Sequence, residues 1–133
     1  MRIGEAMGLC VSDCDFENGL LFVSKSLYQE TEGGGRHHFF ITTPKTDAGY
    51  REIPMLPEVR QALQAEITKN SQLPFAKFEV DGYSDFVFLN RCGKGERATK
   101  IYDVLQRAVA TYNAKESAAA KQENRKPLLL PKI

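Results

Sequence analysis

Apolar and aromatic positions cluster in three runs between residues 20 and 54, and this stretch organises the chain. Each run is rich in β-branched and aromatic residues, and turn-forming residues separate them, which is typical of antiparallel strands. Gly33–Gly35 fills the first gap, and a short turn at Thr46–Gly49 fills the second. The pattern predicts a three-stranded antiparallel β-meander with Lys45 at the mouth of the tight second hairpin.

Apolar residues at helical spacing occur on both sides of this stretch. Residues 1–10 predict a short helix, and a stripe that follows Pro57 predicts a packing helix. The longest stripe predicts a third helix with Thr99 as its N-cap. Its members are Ile101, Val104, Leu105, Ala108, Val109 and Tyr112. The fold class is therefore predicted to be α+β, with helices packed around a small three-stranded antiparallel meander.

Two shorter segments between and after these elements are interpreted separately. Phe86–Leu89 predicts a buried extended run, which ends in a turn at Asn90–Gly95. Residues 115–126 are polar and rich in alanine, and their pattern fits either a continuation of the third helix or a loop. Both interpretations of this last segment stay open.

Length and composition limit the function classes. The chain has 133 residues, enough for one domain with a modest core or for part of a larger one. Its apolar runs are too short to span a bilayer, and it opens without a secretion signal, so we expect a cytoplasmic protein with no membrane partner. The three cysteines lack a C-x-x-C spacing, which argues against disulfides and zinc and predicts buried or half-buried thiols.

Charge is distributed unevenly along the chain. Residues 1–90 hold 8 basic and 13 acidic side chains, whereas residues 91–133 hold 10 basic and 4 acidic ones. The basic C-terminal third fits an anionic partner, although a solvated basic helix has the same composition.

Individual candidate sites each have an ordinary structural explanation. Lys45 alone fits a solvated charge on a strand edge. Asp13 and Asp15 form a D-x-D pattern, but local backbone hydrogen bonding explains them better than a metal site does. The glycine-rich turns lack the P-loop pattern, so they are interpreted as turns.

Three blocks in order make a more specific pattern. Residues 2–13 follow R-x-x-E-x-x-x-L-x-W-x-D except that Val11 replaces the tryptophan. Residues 40–54 resemble a T-K-T…R-x-I-P hairpin, and residues 88–93 follow F-L-N-x-x-G. This order resembles the catalytic domain of the tyrosine recombinases, the phage-integrase family. The family's second block, H-x-x-R followed by a nucleophilic tyrosine, is absent, so residues 1–133 are expected to be a partial catalytic domain truncated at both ends.

The resemblance implies an enzyme that cleaves and rejoins DNA through a 3′-phosphotyrosyl intermediate without metal or other cofactor. It implies that Arg2 stabilises the charge on the phosphorane, because a guanidinium fork donates two hydrogen bonds to phosphate oxygens. It implies that Lys45 is the general acid for the leaving oxygen, and that Glu5 supports Arg2. The implied DNA contacts are Lys45, Thr43, Thr46 and Arg51.

The expected partners are double-stranded DNA and other recombinase protomers in a synaptic complex. None of the tyrosines has the sequence context of the family's nucleophile, so the chain alone is expected to be inactive. They are Tyr28, Tyr50, Tyr83, Tyr102 and Tyr112. The alternative functions are a non-catalytic DNA-binding or regulatory module on the same scaffold, and a protein-interaction domain unrelated to DNA.

Overall fold

The computed structural model describes residues 1–31, 37–74 and 77–132, which fall into two compact units, Met1–Arg97 and Ala98–Ile133. The first unit contains helices α1 (Ile3–Met7) and α2 (Pro57–Ser71) and strands β1 (Cys14–Asp15), β2 (Leu20–Val23), β3 (Ser26–Thr31), β4 (His37–Thr42) and β5 (Arg51–Pro54). The second contains helix α3 (Ala98–Gln122). The predicted α+β class, with small antiparallel sheets and helices, is confirmed.

The strand pairing differs from the predicted meander. β2 lies between β1 and β5 in one antiparallel sheet, and β3 and β4 form a separate two-stranded sheet. A meander requires the last strand to pair with its predecessor, whereas within the described residues β5 pairs with β2 and not with β4. The predicted Gly33–Gly35 turn lies outside the described residues.

The register of the two ladders creates a loop. β4 pairs with β3 from Thr42 opposite Ser26, and β5 pairs with β2 from Arg51 opposite Val23. Two residues therefore separate the paired strands on one side, and eight residues, 43–50, separate them on the other. We call residues 43–50 the excursion loop.

Lys45 belongs to the excursion loop, which corrects the predicted position at the mouth of a tight hairpin. The physical reason is that the strands flanking the loop pair with different partners, so no two-residue turn can join them. The loop contains a short 3₁₀ turn at Asp47–Gly49, in which the Gly49 N–H donates to the Thr46 carbonyl at 2.9 Å.

The core of the first unit combines side chains from distant parts of the chain. Leu9, Leu21, Met55, Leu63 and Val87 form one buried cluster. Leu63 comes from the predicted stripe of α2, and Ile67 from the same stripe packs against the cluster, whereas Val59 and Ala62 are exposed. The apolar face of α2 is therefore narrower than the pattern predicted.

Backbone hydrogen bonds connect the residues that follow α1 to the predicted extended run. The Val87 N–H donates to the Leu9 carbonyl at 2.9 Å, and the Val11 N–H donates to the Asp85 carbonyl at 2.8 Å. Phe86 and Val87 are buried, as predicted for this run, whereas Phe88 and Leu89 are half-buried. The turn that follows is also confirmed, since Gly93 has a φ of +70° and Asn90 accepts backbone hydrogen bonds inside the turn.

Helix α3 begins at Ala98 and continues to Gln122. Thr99 therefore lies inside the helix, and its predicted role as N-cap is wrong, because the helical backbone starts one residue earlier. Residues 115–122 of the alanine-rich segment continue the helix, and residues 123–126 lie beyond its end. Val104 and Leu105 of the predicted stripe are exposed to solvent. No described helix combines the length and the apolar character needed to cross a membrane.

The C-terminal segment of the second unit returns along α3. The amide of Asn113 donates to the Leu130 carbonyl at 2.9 Å and accepts from the Leu130 N–H at 2.8 Å. Glu116 accepts from Arg125 at 2.5 Å and from the Leu128 N–H at 2.9 Å. These contacts fix residues 125–130 against the helix.

Candidate functional site

A cavity of about 840 Å³ opens in the first unit. Its lining comes from the start of α1, from the junction of β2 and β3, from the facing strand β4, and from the excursion loop with the first residue of β5. All six residues predicted for the site line it. They are Arg2, Glu5, Thr43, Lys45, Thr46 and Arg51. The register of the two ladders places the strand junction and the excursion loop at the same level, and the packing of α1 on β3 adds Arg2 and Glu5.

Arg2 and Lys45 are exposed on this shared concave surface. Among the described residues, neither the Arg2 guanidinium nor the Lys45 ammonium has a hydrogen-bond or ion-pair partner, so both cations are available to an external anion. A guanidinium offers a planar fork and an ammonium a compact charge, and phosphate accepts hydrogen bonds from both.

Glu5 is buried beneath Arg2. Its Oε2 accepts the backbone N–H of Arg2 at 2.6 Å, which satisfies an otherwise unpaired N–H at the helix start. The same carboxylate accepts Nη1 of Arg51 at 3.1 Å and Nη2 of Arg51 at 2.7 Å. The Arg51 hydrogen bonds hold the pKa of Glu5 below its ordinary value of 4.5. Glu5 therefore fixes the backbone from which Arg2 projects, rather than pairing with the Arg2 side chain at the helix surface.

Arg51 lines the cavity with its charge already partnered. Besides its two bonds to Glu5, Nη1 of Arg51 donates to the Gly49 carbonyl at 3.3 Å. The hydrogen bonds to Glu5 raise the pKa of Arg51 above its ordinary value. Arg51 therefore connects α1, β5 and the excursion loop. Hydrogen-bond donors of Arg51, which was predicted to contact DNA, are used in these contacts within the protein.

The excursion loop is closed on itself at its base. A Cβ at Gly49 would lie 2.3 Å from Cβ of Pro44, so the two ends of the loop are in direct contact. Only a residue without a side chain fits at this close approach. The contact restricts the segment that carries Thr43, Lys45 and Thr46 at the cavity.

Lys25 is a buried charge at the cavity floor that the sequence analysis did not identify. It lies between β2 and β3, is only 5% exposed, and lines the same cavity. Its Nζ donates to Oδ2 of Asp13 and lies 4.7 Å from the centre of the Tyr83 ring. The same Asp13 oxygen accepts the Cys10 N–H at 2.8 Å. Little in the sequence signals this burial, because Lys25 stands between Ser24 and Ser26 and lysine is ordinarily exposed.

Tyr28 and Phe40 form an aromatic pair in the cavity that was also missed. They are directly opposite each other in the β3–β4 ladder. Their ring centres are 5.9 Å apart with 20° between the ring planes, so the rings are stacked. Phe40 is half-buried, and half of the Tyr28 side chain is exposed.

The two aspartates of the D-x-D pattern serve the local structure. Asp15 accepts the N–H groups of Glu17 at 3.0 Å and Asn18 at 2.8 Å, and these bonds, with that of Asn18 first, lower its pKa. Asp13 binds Lys25 and the Cys10 N–H. Within residues 1–31, 37–74 and 77–132, no group of three or more His, Cys, Asp or Glu side chains is arranged to hold a metal ion.

The cysteines have three different environments. Burial raises the pKa of Cys10 to about 12 and that of the half-buried Cys14 to about 11. Cys92 is exposed in the turn at Asn90–Gly95, which corrects the prediction that all three thiols are at least half-buried. The reason is that the turn keeps its own backbone polar groups paired and leaves this side chain at the surface.

Known proteins with similar sequences are transposases. No protein-family model matches the chain. The chain is 38% identical over 115 residues to the transposase from transposon Tn916 of Enterococcus faecalis, and equally to the transposase from transposon Tn1545 of Streptococcus pneumoniae. Each match covers 85% of this chain and 26% of the relative. The chain therefore spans about a quarter of the length of the curated relatives that it matches.

Similar solved structures are integrases and a recombinase. The Tn1549 transposon integrase in complex with transposon right end DNA is 38% identical, with a TM-score of 0.72 over 86% of this chain and 34% of that chain. XerA recombinase is 17% identical, with a TM-score of 0.52 over 80% of this chain and 29% of that chain, which shows similarity of fold alone. The predicted resemblance to integrases is confirmed, because the chain is similar to a segment of these transposon proteins.

Proposed function

We propose that the chain is part of the catalytic domain of a site-specific DNA recombinase that cleaves and rejoins DNA through a 3′-phosphotyrosyl intermediate. The observation that carries the proposal is the convergence of two unpartnered cations, Arg2 and Lys45, on one cavity. The similarity to transposon integrases supports the same activity. The proposed partners are double-stranded DNA and further recombinase protomers.

In the proposed reaction, a tyrosine that this chain does not supply releases its phenolic proton to water and forms a bond to the scissile phosphorus, and the bond from phosphorus to the 5′-oxygen breaks. Arg2 donates hydrogen bonds to the non-bridging oxygens, whose negative charge grows in the transition state. Lys45 gives a proton to the departing 5′-oxygen. Because its ammonium has no partner among the described residues, its proton is available for this transfer.

The surrounding residues position these two groups. Glu5 holds the Arg2 backbone and the Arg51 guanidinium together. Thr43 and Thr46 flank Lys45 on the excursion loop, and their hydroxyl groups suit further phosphate contacts. Arg51 lines the cavity wall as a proposed DNA contact, although its ion pair with Glu5 neutralises its charge and reduces its capacity to hold DNA.

DNA binding over a range of salt concentrations tests the phosphate site. Arg2→Ala and Lys45→Ala are expected to weaken binding to a duplex and to reduce the slope of log K against log salt by about 0.9 for each lost phosphate contact. Lys69→Ala is the matched control, since Lys69 is an exposed lysine of α2 outside the cavity. Equal affinities and slopes for all four proteins would contradict the proposed site.

A nicking assay tests the proposed division of the catalytic residues. The chain alone is expected to leave supercoiled DNA intact at any concentration, because the nucleophile is not among its residues. Nicked circles that carry covalently bound protein would show that one of its own tyrosines attacks DNA. Duplex binding without nicking, in a longer chain that supplies the tyrosine, would favour the alternative of a non-catalytic DNA-binding module.

A substrate with sulfur in place of the 5′-oxygen separates the two catalytic roles in such a longer chain. A thiolate leaves without a proton, so this substrate is expected to restore cleavage by Lys45→Ala. Arg2→Ala should remain impaired, because charge on the non-bridging oxygens still develops. Failure of the sulfur substrate to help Lys45→Ala would remove the general-acid assignment.

A further inference from the structure

We propose that Tyr28, backed by Phe40, is a stacking platform for an unpaired nucleobase of a DNA strand whose phosphate lies in the cavity. The inference rests on the proposed function, since it places a base next to the phosphate held by Arg2 and Lys45. It adds a contact with a different part of the nucleotide. The ligand class is a single-stranded or locally unpaired DNA segment.

The strand geometry gives this platform a defined orientation. Side chains alternate between the two faces of a strand, so Tyr28 shares a face with Ser26, and Phe40 shares a face with Thr42. All four line the cavity. Leu27, on the opposite face, is buried in the protein. The hairpin therefore presents one aromatic pair to the interior of the cavity.

Tyr28 is more exposed than the other aromatic residues of β3 and β4, Phe39 and Phe40. Phe39 packs edge-on against Phe78, with ring centres 5.3 Å apart, and Phe40 is half-buried. Tyr28 is 50% exposed although it stacks on Phe40. Contact with Phe40 leaves much of the tyrosine surface accessible from the cavity. A flat, rigidly backed ring in this position suits the flat face of a base.

The neighbouring charges complete the recognition chemistry. Proteins that bind single strands combine cations that track the phosphates with aromatic rings on which bases stack. The cavity contains both, with Arg2 and Lys45 as cations and Tyr28 as the ring. A paired base already stacks on its neighbours within the duplex, so an unpaired base is the form that can occupy the ring. Stacking reads no hydrogen-bond pattern, and we expect little sequence preference.

A simpler explanation is that the pair only stabilises the hairpin, since cross-strand aromatic pairs do so. The two explanations differ in their response to DNA. If the pair only stabilises the hairpin, its removal changes the stability of the protein alone. If Tyr28 is a stacking platform, the protein binds a strand with a base more tightly than the same strand without that base.

The experiment compares two single-stranded oligonucleotides of about ten nucleotides, a length within the usual range for such sites. One carries the fluorescent base 2-aminopurine at its centre, and the other carries an abasic spacer there, so their phosphate charges are equal. The proteins are the wild-type chain, Tyr28→Leu, Tyr28→Phe and Tyr50→Leu. Tyr50 is the matched control because it is 49% exposed and does not line the cavity.

The wild-type chain is expected to quench 2-aminopurine and to bind the base-containing strand about 5- to 150-fold more tightly than the abasic strand. Tyr28→Leu should lose this preference and still bind the abasic strand as the wild type does. Tyr28→Phe and Tyr50→Leu should keep the preference. Thermal unfolding of each variant identifies any loss of fold, and quenching by the wild type tests the platform even if Tyr28→Leu does not fold.

The possible failures are distinguishable. If the wild-type chain binds both strands equally without quenching, the stacking platform is wrong and the phosphate site stands. If it binds neither strand at low salt, the proposed function fails with it. If Tyr50→Leu loses the preference as much as Tyr28→Leu does, the assignment to Tyr28 is wrong.

Discussion

The guanidinium of Arg51 donates two hydrogen bonds to the carboxylate of Glu5, a residue 46 positions earlier in the chain. This pair connects the first helix to the last strand, and it lies in the wall of the cavity that Arg2 and Lys45 share. The pair is a structural connection first, because the carboxylate is buried and its hydrogen bonds end on protein donors. Its strength should therefore be visible in stability as well as in binding.

Glu5→Gln is expected to lower the free energy of unfolding at pH 7 by about 1.5–3 kcal/mol, the usual contribution of hydrogen bonds to a charged group. The folded protein lowers the pKa of Glu5, so the stabilisation is complete above the ordinary value of 4.5. It is lost as the pH falls below 4.5 through the lowered pKa. Urea unfolding of wild type and variant from pH 7 to pH 3 measures the difference, which should shrink only at acidic pH.

Glu52→Gln is the control for this prediction, because Glu52 is an exposed residue of β5. Its difference from the wild type should be small at every pH. A Glu5→Gln difference that stays constant down to pH 3 would show that the carboxylate is not the titrating group.

The buried pair of Lys25 and Asp13 predicts an asymmetric response to mutation. Asp13→Asn leaves an ammonium that is almost fully buried without a counter-ion, and we expect a loss of about 3–5 kcal/mol. Lys25→Met leaves an aspartate that is less buried and still accepts the Cys10 N–H, so its effect should be clearly smaller. Urea denaturation of both single variants and the double variant measures the asymmetry and the coupling. Equal effects of the two single variants would contradict this account.

Two glycines near α1 form a matched pair for the packing of this helix on β3. A Cβ at Gly8 would lie 2.8 Å from the Leu27 nitrogen and 3.1 Å from the Ser26 carbonyl carbon, and backbone atoms cannot move aside cheaply. We expect Gly8→Ala to destabilise the protein by about 1–3 kcal/mol, the usual range for overpacking. Thermal or urea unfolding measures the change.

Gly4→Ala is expected to have the opposite sign. The nearest atom to its new Cβ would be Cβ of Ser26 at 3.5 Å, an ordinary contact. Because alanine favours the helix over glycine by about 0.8–1.0 kcal/mol, the variant should be as stable as the wild type or slightly more stable. Destabilisation of similar size at both positions would mean that the separation of α1 and β3 is not set at Gly8.

The thiols should react at very different rates. At pH 8 the thiolate fractions of Cys10 and Cys14 are on the order of one in 10,000 and one in 1,000, as follows from their raised pKa values. Cys92 is exposed. Iodoacetamide treatment of the native chain, analysed by mass spectrometry, is expected to label Cys92 alone. All three should react in denaturant, and rapid native labelling of Cys10 would contradict its burial.

The residues that line the cavity were easier to predict than the strand pairing. Arg2 and Lys45 were singled out by the resemblance of their sequence blocks to a known family, and the structure places both at one cavity, whereas their catalytic roles stay a proposal. The pairing of β5 with β2 depends on contacts more than 25 residues apart in the chain. Local residue preferences identify a strand but do not identify its partner.

Lys25 and Tyr28 show why other parts of the site were missed. A lysine is ordinarily exposed, and the burial of Lys25 depends on Asp13, which lies 12 residues away. Tyr28 in a strand is equally compatible with either face, and its position in the cavity depends on the register with Phe40. Thr99 illustrates a third limit, since helix ends are set by backbone geometry over one or two residues.

The two segments that join the ladders differ in length, and Thr43, Lys45 and Thr46, which are proposed to contact DNA, lie on the longer one, outside the paired strands. The excursion loop has eight residues, whereas two residues join β2 to β3 at the same level of the ladders. The length of the excursion loop can therefore change without shifting any residue pair in either sheet. Insertions, deletions or grafted sequences at this position would thus alter reach and chemistry at the cavity rim while the underlying scaffold is retained. It is a natural place to diversify or redesign target preference.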